Sequence, residues 1–115
     1  MKHVAEMMSA YSDCNEYSGE RDLDYRCEVA MTHAELLIAF EALTPDGYNN
    51  FDPKVSIPKV IQVFGEDAEY FVAREGSVCV YVKPKRPCVW LNRWEIGADE
   101  LSYSPITHEF RLWWD

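Results

Sequence analysis

The sequence lacks the cysteine and histidine spacings that mark metal sites and structural disulfides. Its four cysteines, Cys14, Cys27, Cys79 and Cys88, include no C-x-x-C pair, and none of its three histidines lies close to another in the chain. Zinc sites and disulfide frameworks are normally recognised by such spacings. We therefore expect reduced thiols and no bound metal, with Cys79 and Cys88, which could face each other across a hairpin, as the one pairing to check.

Long apolar runs are also missing. Glu6 and Asp13 interrupt the apolar pattern at the N-terminus, so no signal peptide is predicted, and nowhere is there a segment of membrane length. With cysteines that suit a reducing compartment, this pattern indicates a cytoplasmic protein. The chain of 115 residues is 48% hydrophobic and 14% aromatic, which is enough apolar material for one domain, 1–115, that folds alone.

Motifs for nucleotide binding and nucleophilic catalysis are absent as well. The sequence contains no G-x-G-x-x-G, no P-loop and no nucleophile elbow, so we expect no cofactor and no enzyme. One alternative is a weak enzyme that uses Ser104 or Cys88 with His108, because Ser104, Thr107 and His108 share a predicted turn. A plain loop is the favoured interpretation of that turn.

Basic residues are scarce, which argues against direct binding of nucleic acid, since lysine and arginine contacts to phosphate dominate such affinity. The run Lys83–Arg86 is the one basic cluster, and it is interpreted as a charged hairpin loop that discourages edge aggregation. In "WLNRW", Trp90 and Trp94 flank Arg93, as in a platform for stacking bases. Packing of both tryptophans in the core is favoured instead, because they share one face of a predicted strand.

Apolar spacing and capping residues predict the first half of the fold. A stripe of apolar residues indicates a helix over 3–17, and strict alternation indicates a strand over 24–31. Thr32 and Glu35 form a capping box, which opens a helix that ends before Pro45 and Gly47. Ser56 before Ile57 and Pro58 favours a short helix over 58–64.

Strand-forming residues separated by turn residues dominate the chain from residue 68 onward. Strands are predicted within residues 68–75, 77–84, 88–96, 101–104 and 108–115. The predicted fold class is α+β: two N-terminal helices, with residues 58–64 as a short third, pack on a mostly antiparallel meander sheet of four to five strands.

Negative charge is concentrated in the N-terminal half. The net charge is −9, of which residues 1–52 carry −8 and residues 53–115 carry −1. Residues 12–28 alone hold six carboxylates against two arginines. Such charge runs are usually a solvated surface, but one that extends from a helix through a loop onto a strand also suits a basic groove on another protein. The predicted partner-binding residues are Asp13, Glu16, Tyr17, Glu20, Asp22, Asp24 and Glu28.

Size, charge and the absence of catalytic motifs together favour an interaction protein. In these respects the chain resembles phage-encoded counter-defence proteins, such as anti-CRISPR and anti-restriction inhibitors, although no motif carries that resemblance. It implies an acidic inhibitor, monomeric or dimeric, that occupies a basic, nucleic-acid-binding surface of a larger protein or nucleoprotein complex. The alternative is a regulatory α+β module without catalysis that binds a small molecule between helices and sheet near Trp90 and Trp94.

Overall fold

The computed structural model describes residues 25–44, 47, 50–75, 77–85 and 93–115, and they form a mixed α+β fold. Within these residues, two long helices follow the first strand, and a third, of one turn, lies between the third and fourth strands. In chain order the elements are β1 (Tyr25–Arg26), α1 (His33–Leu43), α2 (Pro53–Phe64), β2 (Glu69–Arg74), β3 (Val78–Lys83), α3 (Arg93–Ile96), β4 (Glu100–Ser104) and β5 (Glu109–Trp113).

The five strands in the described part of the chain belong to one antiparallel sheet with the order β1-β2-β3-β5-β4. The strands β2 and β3 form a hairpin, and β4 and β5 form another. The sheet is not the simple meander that the sequence predicts, because β5 inserts between β3 and β4 and pairs with both. As a result β4 lies at one edge of the sheet formed by the described residues.

Local sequence determines where the two long helices begin. Thr32 caps α1: its hydroxyl accepts from the Glu35 backbone N–H, and the Glu35 carboxylate accepts from the Thr32 N–H, which confirms the predicted capping box. The helix α2 begins at Pro53, five residues before the predicted start. Asp52 is its N-cap and accepts from the Lys54 N–H, so Ser56 lies inside the helix and does not mark its start.

The core lies between the two long helices and one face of the sheet. Phe51 packs against Phe40 and Trp114, with ring centroids 5.1 and 5.2 Å apart, and Phe64 packs against Phe110. The alternation predicted for the strands is confirmed on this face: Val78, Val80, Val82, Phe110, Leu112 and Trp114 are buried. Burial of these apolar side chains supplies the main driving force for folding.

Three sequence expectations are corrected by the fold. The segment 88–96 was predicted as a strand, but Arg93–Ile96 form the helical turn α3, which Gly97 follows at φ +81°. Trp94 is 74% exposed while Ile96 is buried, so the expected core packing of Trp94 is wrong. The predicted strand 24–31 is also corrected. Of its described residues, Tyr25 and Arg26 alone form regular strand pairs with β2. The predicted helix 3–17 and Trp90 lie outside the described residues.

Candidate functional site

Of the predicted partner-binding residues, the structure describes Glu28. Asp13, Glu16, Tyr17, Glu20, Asp22 and Asp24 lie outside the described residues. The Glu28 side chain is exposed, as a residue that contacts a partner requires.

Glu28 lies in a bulge between two points where the chain pairs with β2. The Cys27 N–H donates to the Val72 carbonyl at 2.8 Å, and Met31 and Tyr70 exchange hydrogen bonds of 2.8 and 3.0 Å. Residues 28–30 are therefore looped out opposite the single residue Phe71. Extra residues in one strand bend it away from regular pairing. The bulge turns Val29 outward, 50% exposed, although alternation predicted it to be buried with Cys27 and Met31.

A second group of carboxylates lies beside this bulge. Glu66 and Asp67 are exposed in the turn from α2 into β2, and Glu69 is exposed at the first position of β2. The Glu66 Oε2 atom is 3.9 Å from His33 Nε2, at the start of α1, five residues after Glu28. We call the four residues Glu28, Glu66, Asp67 and Glu69 the acidic edge. Sequence analysis missed the last three, although the run "EDAE" before a strand was a visible signal.

Two basic side chains lie near the acidic edge. Arg26 donates to Glu109 at 2.5 Å, and its guanidinium lies over the rings of Phe71 and Tyr81, 4.9 and 4.6 Å from their centroids. This cation is therefore already engaged by groups of the sheet. Lys83 is exposed and pairs in register with Glu69, so it reduces the negative potential at one end of the acidic edge.

A different polar cluster occupies the sheet face opposite the helices, and Glu75 is at its centre. The Glu75 carboxylate accepts from the Tyr81 hydroxyl, from Cys79 Sγ at 3.3 Å and from Arg111 Nε at 3.0 Å. Arg111 also donates to Glu100 at 3.0 Å. In addition, the Glu75 backbone carbonyl accepts from Trp113 Nε1 at 2.8 Å. These contacts join the β2–β3 turn to β3, β4 and β5.

This environment shifts the pKa values of the cluster in directions that disfavour catalysis. Burial acts to raise the pKa of Glu75, but hydrogen bonds from Tyr81, Cys79 and Arg111 outweigh it and lower the pKa. Burial and the neighbouring carboxylate raise the pKa of the Cys79 thiol and of the Tyr81 hydroxyl. A carboxylate of lowered pKa is a poor general base, and a thiol of raised pKa is a poor nucleophile. The cluster is therefore suited to holding the sheet together.

The hydroxyl and imidazole of the β4–β5 turn do not bond to each other. Ser104 Oγ accepts from the Thr107 N–H at 3.3 Å, and the Ser104 carbonyl accepts from the His108 N–H at 2.8 Å. The His108 Nδ1 atom instead pairs with the Tyr103 hydroxyl at 3.0 Å. His108 has φ +60°. The Ser104 hydroxyl and the His108 imidazole each bond to other groups of the β4–β5 hairpin. Cys88, the other candidate nucleophile, lies outside the described residues.

Three further expectations can be compared with the structure. Cys27 and Cys79 are free thiols, both buried. In the described part of the chain, no group of three or more His, Cys, Asp or Glu side chains is placed to hold a metal ion. None of the helices within that part is both long enough and apolar enough to cross a membrane.

No protein-family model, curated protein or solved structure matches this chain. The case for a function therefore depends on the chain's own residues.

Proposed function

We propose that this chain is a small acidic protein that binds a basic surface of a larger protein or nucleoprotein complex, a surface that itself binds nucleic acid. It acts without catalysis and without a cofactor, as a counter-defence inhibitor of the anti-CRISPR or anti-restriction type, encoded by a phage. Its place of action is the cytoplasm of the host cell, because its cysteines follow no disulfide pattern.

The observation that carries this proposal is the uneven distribution of charge. Residues 1–52 hold −8 of the net charge of −9, whereas an ordinary soluble surface intersperses the two signs. Carboxylates spaced along one surface can replace phosphates in a basic groove, where complementary potentials accelerate association and select the partner.

The acidic edge supports the same proposal. Glu28 belongs to the acidic segment 12–28, and Glu66, Asp67 and Glu69 add three exposed carboxylates near the Met31–Tyr70 bridge, which follows Glu28 in the chain. A binding surface that includes both groups is larger than the segment alone. The exposed position of Trp94 removes one reason for the alternative, a small-molecule site between helices and sheet.

Charge reversal within the segment tests the proposal. The tagged protein is used as bait in a lysate of the natural host at low salt, and bound proteins are released by a salt step and identified. We expect a nucleic-acid-binding protein or complex to be released, and we expect the double variant Asp22→Lys with Asp24→Lys to lose it. Two reversals at the centre of the predicted interface replace attraction by repulsion.

A control with the same change of net charge shows whether position matters. Glu95→Lys with Asp115→Lys reverses two exposed carboxylates in the C-terminal half, and we expect this variant to capture the partner as the unmodified chain does. Unaltered capture by the Asp22 and Asp24 variant would refute the proposal. Equal loss from both variants would assign the binding to net charge rather than to an interface at residues 13–28.

A further inference from the structure

Among the residues that the structure describes, the strand β4 forms an outer edge of the sheet, and its sequence protects that edge weakly. In the part of the chain that the structure describes, β5 is the one strand that pairs with β4. Charged side chains, proline and bulges usually block pairing between edges, and Glu100–Ser104 contain no proline or bulge and a single charged residue, Glu100. The opposite edge, at β1, is short and is interrupted by the bulge at residues 28–30.

Exposed apolar side chains flank both ends of β4. Ile106, in the turn just after the strand, is 88% exposed, and Trp94, in the helical turn α3 before the strand, is 74% exposed. Tyr103 within the strand is also exposed. Large apolar side chains exposed around one edge are a signal of an interaction surface.

We propose that two copies of this chain associate through their β4 strands, which pair antiparallel about a two-fold axis at Ser102. The sheet then continues from one copy into the other, and the outer N–H and C=O groups of both edges become hydrogen-bonded. Symmetric pairing of this kind uses the same patch on both copies, as closed dimers normally do.

The sequence of β4 is compatible with its own copy in this register. Leu101 of one copy faces Tyr103 of the other, and Glu100 faces Ser104, so no two carboxylates are opposed. This matters in a chain of net charge −9, because two copies of like net charge repel each other. The antiparallel arrangement also brings Ile106 of one copy towards the end of β4 that carries Trp94 in the other. Self-complementarity therefore favours a second copy over a strand of another protein.

Sedimentation equilibrium of the purified full-length chain over a range of concentrations tests the dimer. We expect a monomer–dimer equilibrium, and we expect Ser102→Glu to raise its dissociation constant about tenfold or more, because two carboxylates then face each other at the axis. Within its own chain, Ser102 pairs in register with Arg111, so a glutamate there has a guanidinium opposite and is compatible with the fold.

A matched pair of threonine variants tests the apolar flanks. Ile106→Thr should raise the dissociation constant, whereas Val55→Thr, at an exposed residue of α2, should leave it unchanged. Ile106 is in an exposed turn, so this variant decides the question even if Ser102→Glu fails to fold. A chain that stays monomeric up to about 1 mM overturns the proposal. A dimer whose dissociation constant is unchanged by Ile106→Thr also overturns it, because such a dimer associates through another surface.

Discussion

Glu75 is the residue that most clearly joins separate parts of the chain, because a single carboxylate serves donors from two strands. Its hydrogen bonds to Tyr81, Cys79 and Arg111 involve a charged, half-buried group, and bonds of that kind contribute more to stability than neutral ones. We expect Glu75→Gln to lower the free energy of unfolding by about 1–2 kcal/mol, as measured by urea denaturation at neutral pH.

Glu100→Gln is the matched control for that variant. Glu100 also bonds to Arg111, but its side chain is 58% exposed against 29% for Glu75, and exposed ion pairs are worth little. We expect a loss below about 1 kcal/mol. Equal losses from the two variants would contradict the role given to Glu75.

The pKa of Glu75 also predicts how stability depends on pH. Because the folded pKa lies below the ordinary value of 4.5, the unfolded chain binds more protons than the folded chain in the interval between them. The stabilisation from Glu75 is therefore complete above pH 4.5 and is lost as pH falls through the folded pKa. Denaturation curves of the unmodified chain and Glu75→Gln should accordingly converge as the pH is lowered from 7 towards 3, whereas a constant difference would contradict this account.

The helix α2 contains a proline at a position where most helices have none. Pro58 is in the sixth position of α2, so it has no N–H to donate to the Lys54 carbonyl, and its ring crowds that carbonyl. Pro58 is exposed, so little packing is lost when it is replaced. We expect Pro58→Ala to raise the free energy of unfolding by about 1–3 kcal/mol in thermal or urea denaturation.

Pro53 supplies the comparison within the same helix. It is at the first helical position, where a missing N–H costs nothing and a fixed φ favours the helix, and it is buried. We expect Pro53→Ala to lower stability. If both variants changed stability in the same direction, the distinction between the two positions would be wrong.

Local sequence patterns predicted the elements whose structure depends on residues close to one another in the sequence. The capping box of Thr32 and Glu35 identified the start of α1, strand-forming residues between turns identified β2, and alternation identified the core-facing residues of β3 and β5. The failures depend on distant residues. The bulge at 28–30 follows from how Cys27 and Met31 pair with β2, and α3 is built from residues that also favour strands. Neither the insertion of β5 beside β3 nor the exposure of Trp94 leaves a periodic signal in the sequence.

At the scale of the molecule, charge is the property that favours an interaction protein. The exposed acidic position of Glu28 was predicted, whereas Glu66, Asp67 and Glu69 were not assigned to the same surface. Their proximity to the bulge depends on pairing between Met31 and Tyr70, which are far apart in the sequence. Sequence alone could therefore show an excess of carboxylates, and the acidic edge became visible with the fold.

The salt dependence of binding tests the central claim most directly. The association of the purified chain with the partner captured from the host lysate is measured from about 0.01 to 1 M ionic strength, over which the Debye length falls from about 30 to 3 Å. An acidic surface in a basic groove predicts an association rate and an affinity that both fall steeply along this range. An affinity that stays constant as salt rises would contradict electrostatic recognition and with it the proposed function.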